Sequence, residues 1–290
     1  MIENTFIIPI LHDVYIDTML ESLKQYAGHN YQVIIIDQTT SDRVDYERAN
    51  VTIVPSRNLG FAKAMNTGIR MANTPYITYA NDDIVFLDSR WWQGIKDTFE
   101  KNDKIIAVNP LSPKEPGWGY GNTTPDWGIR LNDFIYPNSP IKMYHPESVD
   151  YDWLVEKYKK GWIDGIAGWC VTLRKDLMNE FLDKEQEEGL NPDRLWFDER
   201  FYPGGGEDYD VCHRLYGKGY RAVATCSSYV WHHWGKSTEH VIENPAKIDN
   251  SLRWNKLNEL YKETENGWKS PIFQKPMSRV LPVESVPFDI

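Results

Sequence analysis

The sequence predicts an α/β fold with a mostly parallel central sheet and helices on its faces. Over the first 110 residues, short β-prone apolar runs alternate with stretches of helical period, the pattern of strands joined by crossover helices. Two of those runs end in acidic or amide residues, VIII at Asp37 and YITYA at Asn81. At 290 residues the chain is long enough to bury a large core as one α/β domain or two fused subdomains.

Each element has its own justification. Thr5 to Ile10 is a short apolar strand. Asp13 can cap a helix that carries Met19, Leu20 and Leu23 on one face. Gln32 to Ile36 reads as a buried strand ending at Asp37, and Val51 to Val54 as a third strand. A helix over about Ala62 to Ala72 leads to the strand that ends at Asn81. A helix from about Asp88 to Phe99 and a strand at Ile105 to Val108 complete the series. In a parallel sheet, ligands bind beyond the carboxyl ends of the strands, so Asp37 and the Asn81-Asp82-Asp83 cluster are expected to meet one ligand.

From Leu111 to about Tyr151 six prolines, with several Gly, Asn and Trp residues including Trp118 and Trp127, interrupt the periodicity. A connection this long is usually functional or mobile, and it is expected to order, at least partly, on ligand binding. Order returns with a strand near Cys170 to Leu173 and a helix beginning near Asp208. Ala246 to Glu265 carries a helical pattern in Ile248, Leu252, Leu257 and Leu260, and a Pro-rich tail follows from Ser270. That helix could serve an oligomer contact.

Composition excludes several classes. A formal net charge of −10 and pI near 5.2 argue against general nucleic-acid binding, which needs basic surface. Cys170, Cys212 and Cys226 form no CxxC pair and are odd in number, which fits a reducing compartment. MIENTFIIPI reads as too short and too acidic for a signal peptide, and no apolar run approaches the ~20 residues of a membrane span. The expectation is a cytoplasmic protein, with peripheral membrane association left open. The chain carries 12 Trp and 17 Tyr; Trp169, Trp196, Trp231 and Trp234 could stack on sugar rings or simply pack in the core.

The Asn81-Asp82-Asp83 cluster follows a hydrophobic strand directly. Carboxylates packed this closely need a stabilising charge, and a divalent metal would supply it; ordinary turn chemistry is the alternative. Asp37 divides the same way, between a ligand contact and a DQTTSD turn. Gly60 suits close backbone approach to a ligand or a plain helix entry. Glu207 and Asp208 follow Gly204, Gly205 and Gly206 and open a helix, where acids complement the dipole or act as a base.

The motifs taken together resemble a known family. Asp37 after VIII, RNLGFAKAMNTGI from Arg57 to Ile69, the NDD strand end, GWCVTLRKDL from Gly168, FDERFYPGGGEDYDVCHRLYGKGYR from Phe197 to Arg221, and VWHHWGKST from Val230 to Thr238 are similar to the GT-A, Rossmann-like, inverting glycosyltransferases of family 2, which include bacterial rhamnosyltransferases. They cover most of residues 4 to 240 in the family's order. The resemblance implies transfer of a sugar from a UDP, GDP or dTDP donor to a glycan or other hydroxyl acceptor, in polysaccharide biosynthesis, assisted by Mn²⁺ or Mg²⁺.

It also implies roles. Asp83 matches the metal-facing acid of the family's Asp-x-Asp motif, in which Asn81 replaces the first acid; His232 matches a late metal ligand, with His233 beside it. Asp37, Arg57, Asn58, Gly60, Asn66, Asn81, Asp82 and Gly168 match donor-binding positions. Asp208, paired with Glu207, matches the general base. Residues 1–110 would then form the nucleotide-sugar half, 111–240 the acceptor and catalytic half, and 241–290 a C-terminal helix and tail. The rival readings are a catalytically idle nucleotide-sugar or glycan binder, and a sugar-nucleotide pyrophosphorylase. The latter class would want a Gly-rich, Arg-containing loop after the first strand, where IIPILHDVYID has none.

Overall fold

A computed structural model of the chain describes residues 1–12, 14–39, 50–56, 59–112, 162–201, 204 and 206–233. The segment after Ser112, the Ala246 to Glu265 helix, the Pro-rich tail, the cap at Asp13, Arg57, Asn58, Trp118, Trp127, Gly205, Trp234 and Ser237 lie outside the described residues.

The first half follows the alternation read from the sequence. β1 (Asn4–Ile10), α1 (Ile16–Tyr26), β2 (Tyr31–Asp37), β3 (Val51–Pro55), α2 (Phe61–Met71), β4 (Tyr76–Ala80), β5 (Ile84–Phe86), α3 (Arg90–Lys101) and β6 (Ile105–Leu111) succeed one another. After the undescribed segment come β7 (Trp162–Asp164), β8 (Cys170–Arg174), α4 (Lys175–Glu187), α5 (Glu207–Tyr216) and β9 (Arg221–His232). The sheet order is β3-β2-β1-β4-β8-β6-β9-β5, with β7 beside β9.

The four strands β3, β2, β1 and β4 are parallel, which brings Ile10, Asp37 and Pro55 to one edge in register. The second half changes the polarity. β8 enters antiparallel between β4 and β6, while β9 runs parallel to β6 and antiparallel to β5 and β7. Helix α4 and strand β9 are elements that local pattern did not announce. KDLMNEFLDKEQE buries Met178, Phe181 and Leu182 but follows β8 without a break, and β9 is long because it serves three partner strands.

Period-2 alternation divides the core between the two faces of the sheet. Phe6, Ile8, Ile10, Val33 and Ile35 point to the face covered by α1 and α3, where Leu20, Leu23, Trp91, Ile95 and Phe99 pack. Ile7, Ile34 and Ile36 point to the other face, against Met65 and Ile69 of α2, Phe181 of α4, and Val211 and Leu215 of α5. Close approach needs glycine at two of these contacts. A Cβ on Gly68 would come within 2.2 Å of the Ile7 side chain, and one on Gly94 within 1.9 Å of the Ser227 carbonyl oxygen.

At the turn before β2, the His29 ring stacks on Trp92 with centroids 3.9 Å apart and planes at 19°. Phe6, Tyr31 and Trp91 complete the aromatic box. Burial pushes the His29 pKa down to about 4, although the Ala27 carbonyl and Glu3 favour the charged ring. The fold therefore holds the neutral ring, and stability is fully present above the unfolded value near 6.5 and falls as the pH drops from there towards 4. Partial exposure and cation–π attraction to Trp92 reduce the effect to roughly 1–3 kcal/mol. Melting temperature recorded from pH 7 to 4 should decline less steeply in His29→Phe than in the unaltered protein; parallel curves would remove His29 from the acid response.

Candidate active site

The site is built at the carboxyl edge of the parallel strands. Asp37 ends β2 and is buried. Its Oδ1 accepts the Thr39 amide at 2.9 Å and the Thr39 hydroxyl at 2.7 Å, so half of its carboxylate closes an Asx turn. The turn reading of Asp37 is thus what the structure shows, and the turn fixes the side chain at the strand's end. The next residue, Gln38, donates its amide to Ile10 and accepts the Leu59 amide on Oε1 at 2.7 Å. This bond ties the β2 edge to the entry of α2. Gly60 there has φ +76° and ψ 170°, a conformation natural only to glycine.

The acidic cluster follows β4. Asn81 is half-buried and donates its backbone N–H to the Trp169 carbonyl at 2.8 Å, whereas Asp82 and Asp83 are buried. β5 pairs with the end of β9, placing Ile84 opposite His232, and the His233 amide donates to the Asp83 carbonyl at 3.0 Å. Residues 149 positions apart in the chain thereby meet, with His232 Nε2 3.3 Å from Asp83 Oδ1. Burial acts to raise the Asp83 pKa, but the positive potential of His232 and His233 outweighs it and holds the carboxyl below its usual range.

Asp83 Oδ1 is buried and has no hydrogen-bond partner of good geometry. An orphaned carboxylate oxygen facing an imidazole is a donor set that suits a Mn²⁺-like cation. Among the described residues no group of three or more His, Cys, Asp and Glu could hold a metal, so a cation here would complete its shell from a ligand's oxygens and water. The His232 ring is fixed by stacking on Trp169, with centroids 4.9 Å apart and planes at 18°, and its backbone amide donates to Ser112 Oγ at 3.1 Å.

The second pole of the site is the N-terminus of α5. Glu207 is buried and Asp208 half-buried, which makes Asp208 the more accessible carboxylate. Its Oδ2 accepts the Gly168 amide at 3.1 Å. Gly168 precedes Trp169 directly, so one loop touches both the Asp83–His232 pair and Asp208. Asp210, in contrast, belongs to the core. It lies 3.4 Å from Arg214, whose buried guanidinium also binds Glu185 through Nε and Nη2 and the carbonyls of Trp196 and Leu195. Asn191 completes this assembly by bridging Glu185 and Leu195.

One expected ligand contact is engaged within the fold. The Asn66 carboxamide accepts the Phe197 amide at 3.0 Å and donates to the Phe197 carbonyl at 2.8 Å. It fastens the FDER turn onto α2, and the side chain is buried there. Trp196 likewise lies in the core. Gln38, Ser112, Asn109 and the Glu185–Arg214 pair escaped the sequence reading. Their partners lie between 21 and 120 residues away, so no local motif marks them.

With the geometry in view, comparison with known proteins becomes informative. Residues 5–155 match the sequence profile of Glycosyl transferase family 2. The chain belongs to that family. An uncharacterized glycosyltransferase of Haemophilus influenzae is 29% identical over 102 residues, 34% of this chain and 31% of the relative. The chain thus spans about a third of that relative's length. Among solved structures, GalNAc-T7 with UDP, GalNAc and Mn²⁺ superposes with a TM-score of 0.55 at 13% identity, covering 79% of this chain and 43% of that one. S. aureus TarS matches with a TM-score of 0.46 at 12% identity over 83% of this chain and 63% of the other. The GalNAc-T7 likeness shows the GT-A glycosyltransferase fold. Within this family 2 chain, no helix among the described residues is long and apolar enough to cross a membrane.

Proposed function

We propose that this protein is an inverting glycosyltransferase that moves a sugar from a nucleoside-diphosphate donor to a hydroxyl of a glycan or other acceptor. The observation that carries the reading is the shared loop. Gly168 donates to Asp208 while Trp169 stacks on His232, which faces Asp83. A proton acceptor and a polar pair suited to a diphosphate-bound cation thus flank one loop. Residues 1–110 would hold the donor and 111–240 the acceptor side.

The chemistry follows from these residues. Asp208 sits in the first turn of α5, where the Gly168 N–H holds its carboxylate in place. It takes the hydroxyl proton as the acceptor oxygen bonds to the anomeric carbon; the carbon–oxygen bond to the diphosphate breaks on the opposite face, and the diphosphate leaves with the electron pair. A bound Mn²⁺ or Mg²⁺ would neutralise charge on that leaving group. Asp83 and His232 would hold it, and Asp37 would meet the nucleotide base.

The test is a panel of UDP-, GDP- and dTDP-hexoses, including dTDP-rhamnose, each with Mn²⁺ and with EDTA. The melting temperature rises with a ligand that binds the native state, and release of nucleoside diphosphate with acceptor reports transfer. Binding without turnover across the panel would favour an idle nucleotide-sugar binder. For the metal, calorimetry with the corresponding nucleoside diphosphate should show ~10-fold or greater weakening on EDTA addition. Asp83→Ala should remove that difference, and equal affinity with Mn²⁺ and EDTA in the unaltered protein would oppose the metal role.

A further inference from the structure

We propose that Asn109 is a positioning residue for transfer, acting through the 165–169 loop to set Asp208 and His232. The inference rests on the reading of Asp208 as the base. Asn109 lies in β6 and is fully buried. β6 pairs with β8 only at Ala107–Leu173 and Val108–Thr172. Against β9, its register shifts between Asn109 and Leu111, where the β9 partner advances from Ala224 to Tyr229. Asn109 therefore stands where the ladder opens.

Its carboxamide replaces the missing ladder bonds. Nδ2 donates to the Cys170 carbonyl at 2.6 Å, and Oδ1 accepts the Ala167 amide at 3.0 Å. Two hydrogen bonds from one planar group thus clamp residues 167 and 170, leaving Gly168 and Trp169 between them. Gly168 is the donor to Asp208, and Trp169 is the plate under His232 and the acceptor of the Asn81 amide. A buried amide with no contact to a ligand thereby fixes three parts of the site. Leucine would fill the same volume without holding the loop.

The test uses the full chain, with hydrogen exchange and NMR of the Gly168 amide. In Asn109→Ala that amide should lose ~10-fold or more of its protection, the scale of a hydrogen bond to a charged acceptor, while the amides of α2 keep theirs. Asp208→Asn should move the same amide resonance. With the panel donor that the unaltered protein consumes, kcat should fall ~10–100-fold with little change in donor KM. Adding Asn109→Ala to Asp208→Asn should then cost far less than it does alone. If Asn109→Ala does not fold, Asn109→Ser carries the same readouts.

A folded variant with an unaltered Gly168 amide overturns the proposal. So does a displaced amide with normal kcat when Asp208→Asn abolishes transfer. If Asp208→Asn itself retains transfer, the base assignment fails, and the positioning of Asp208 for transfer fails with it.

Discussion

Asp208→Asn is expected to bind donor almost normally but to transfer at a rate ~10²-fold or more below the unaltered protein. The amide keeps the size of the carboxylate but cannot take the acceptor's proton, and a positioned base contributes ~10²–10⁴-fold. Loss should therefore appear in kcat and equally in kcat/KM, with donor affinity by calorimetry little changed. Folding is expected to survive, because Asp208 is half-buried at a helix start, unlike Asp210. Glu207→Gln is the comparison. Glu207 is buried, so if this variant loses transfer while Asp208→Asn keeps it, the base moves to Glu207.

Arg214→Met destabilises the fold by roughly 3–5 kcal/mol, the cost of removing one partner from a buried ion pair. The guanidinium is fully buried between Glu185 and Asp210, themselves fully buried. Methionine approximates its volume but removes the cation that both buried carboxylates, Glu185 and Asp210, contact. Burial acts against the charged guanidinium, yet Glu185 and Asp210 outweigh it and hold its pKa above the ordinary value. The guanidinium also ties the carbonyls of Trp196 and Leu195 to α5, so its loss should loosen the FDER turn along with the helix that carries Asp208. Denaturant unfolding is the measurement. A change below about 1 kcal/mol would place the network on the scale of surface pairs.

A double replacement separates charge from packing. Arg214→Met combined with Glu185→Leu removes both members of the bidentate pair and should recover part of the lost stability, since apolar groups of similar volume often substitute well for a buried pair. The contact from Arg214 to Asp210 is lost as well, so recovery stays partial.

The parallel half of the sheet was legible in the sequence: short apolar runs mark β1, β2, β3 and β4, and helical patterns fall between them. Which face Phe6, Ile7 and Ile8 each take came only with the packed sheet. Local signals marked Asp37, Asp83, Asp208 and His232 as candidates, each beside a plain structural reading, and their roles rest on the resemblance of the combined motifs to the family. The tertiary structure alone decided what those residues meet. Antiparallel pairing of β9 with β5 brings His232 to Asp83 across 149 positions, and the β6 ladder opening gives Asn109 its two bonds to the 165–169 loop. The same packing tied Asn66 to Phe197 and drew Asp210 into the Arg214 network. Strand and helix signals arise from neighbours within a few residues, whereas hydrogen-bond partners are chosen by which backbones the packed sheet leaves unpaired.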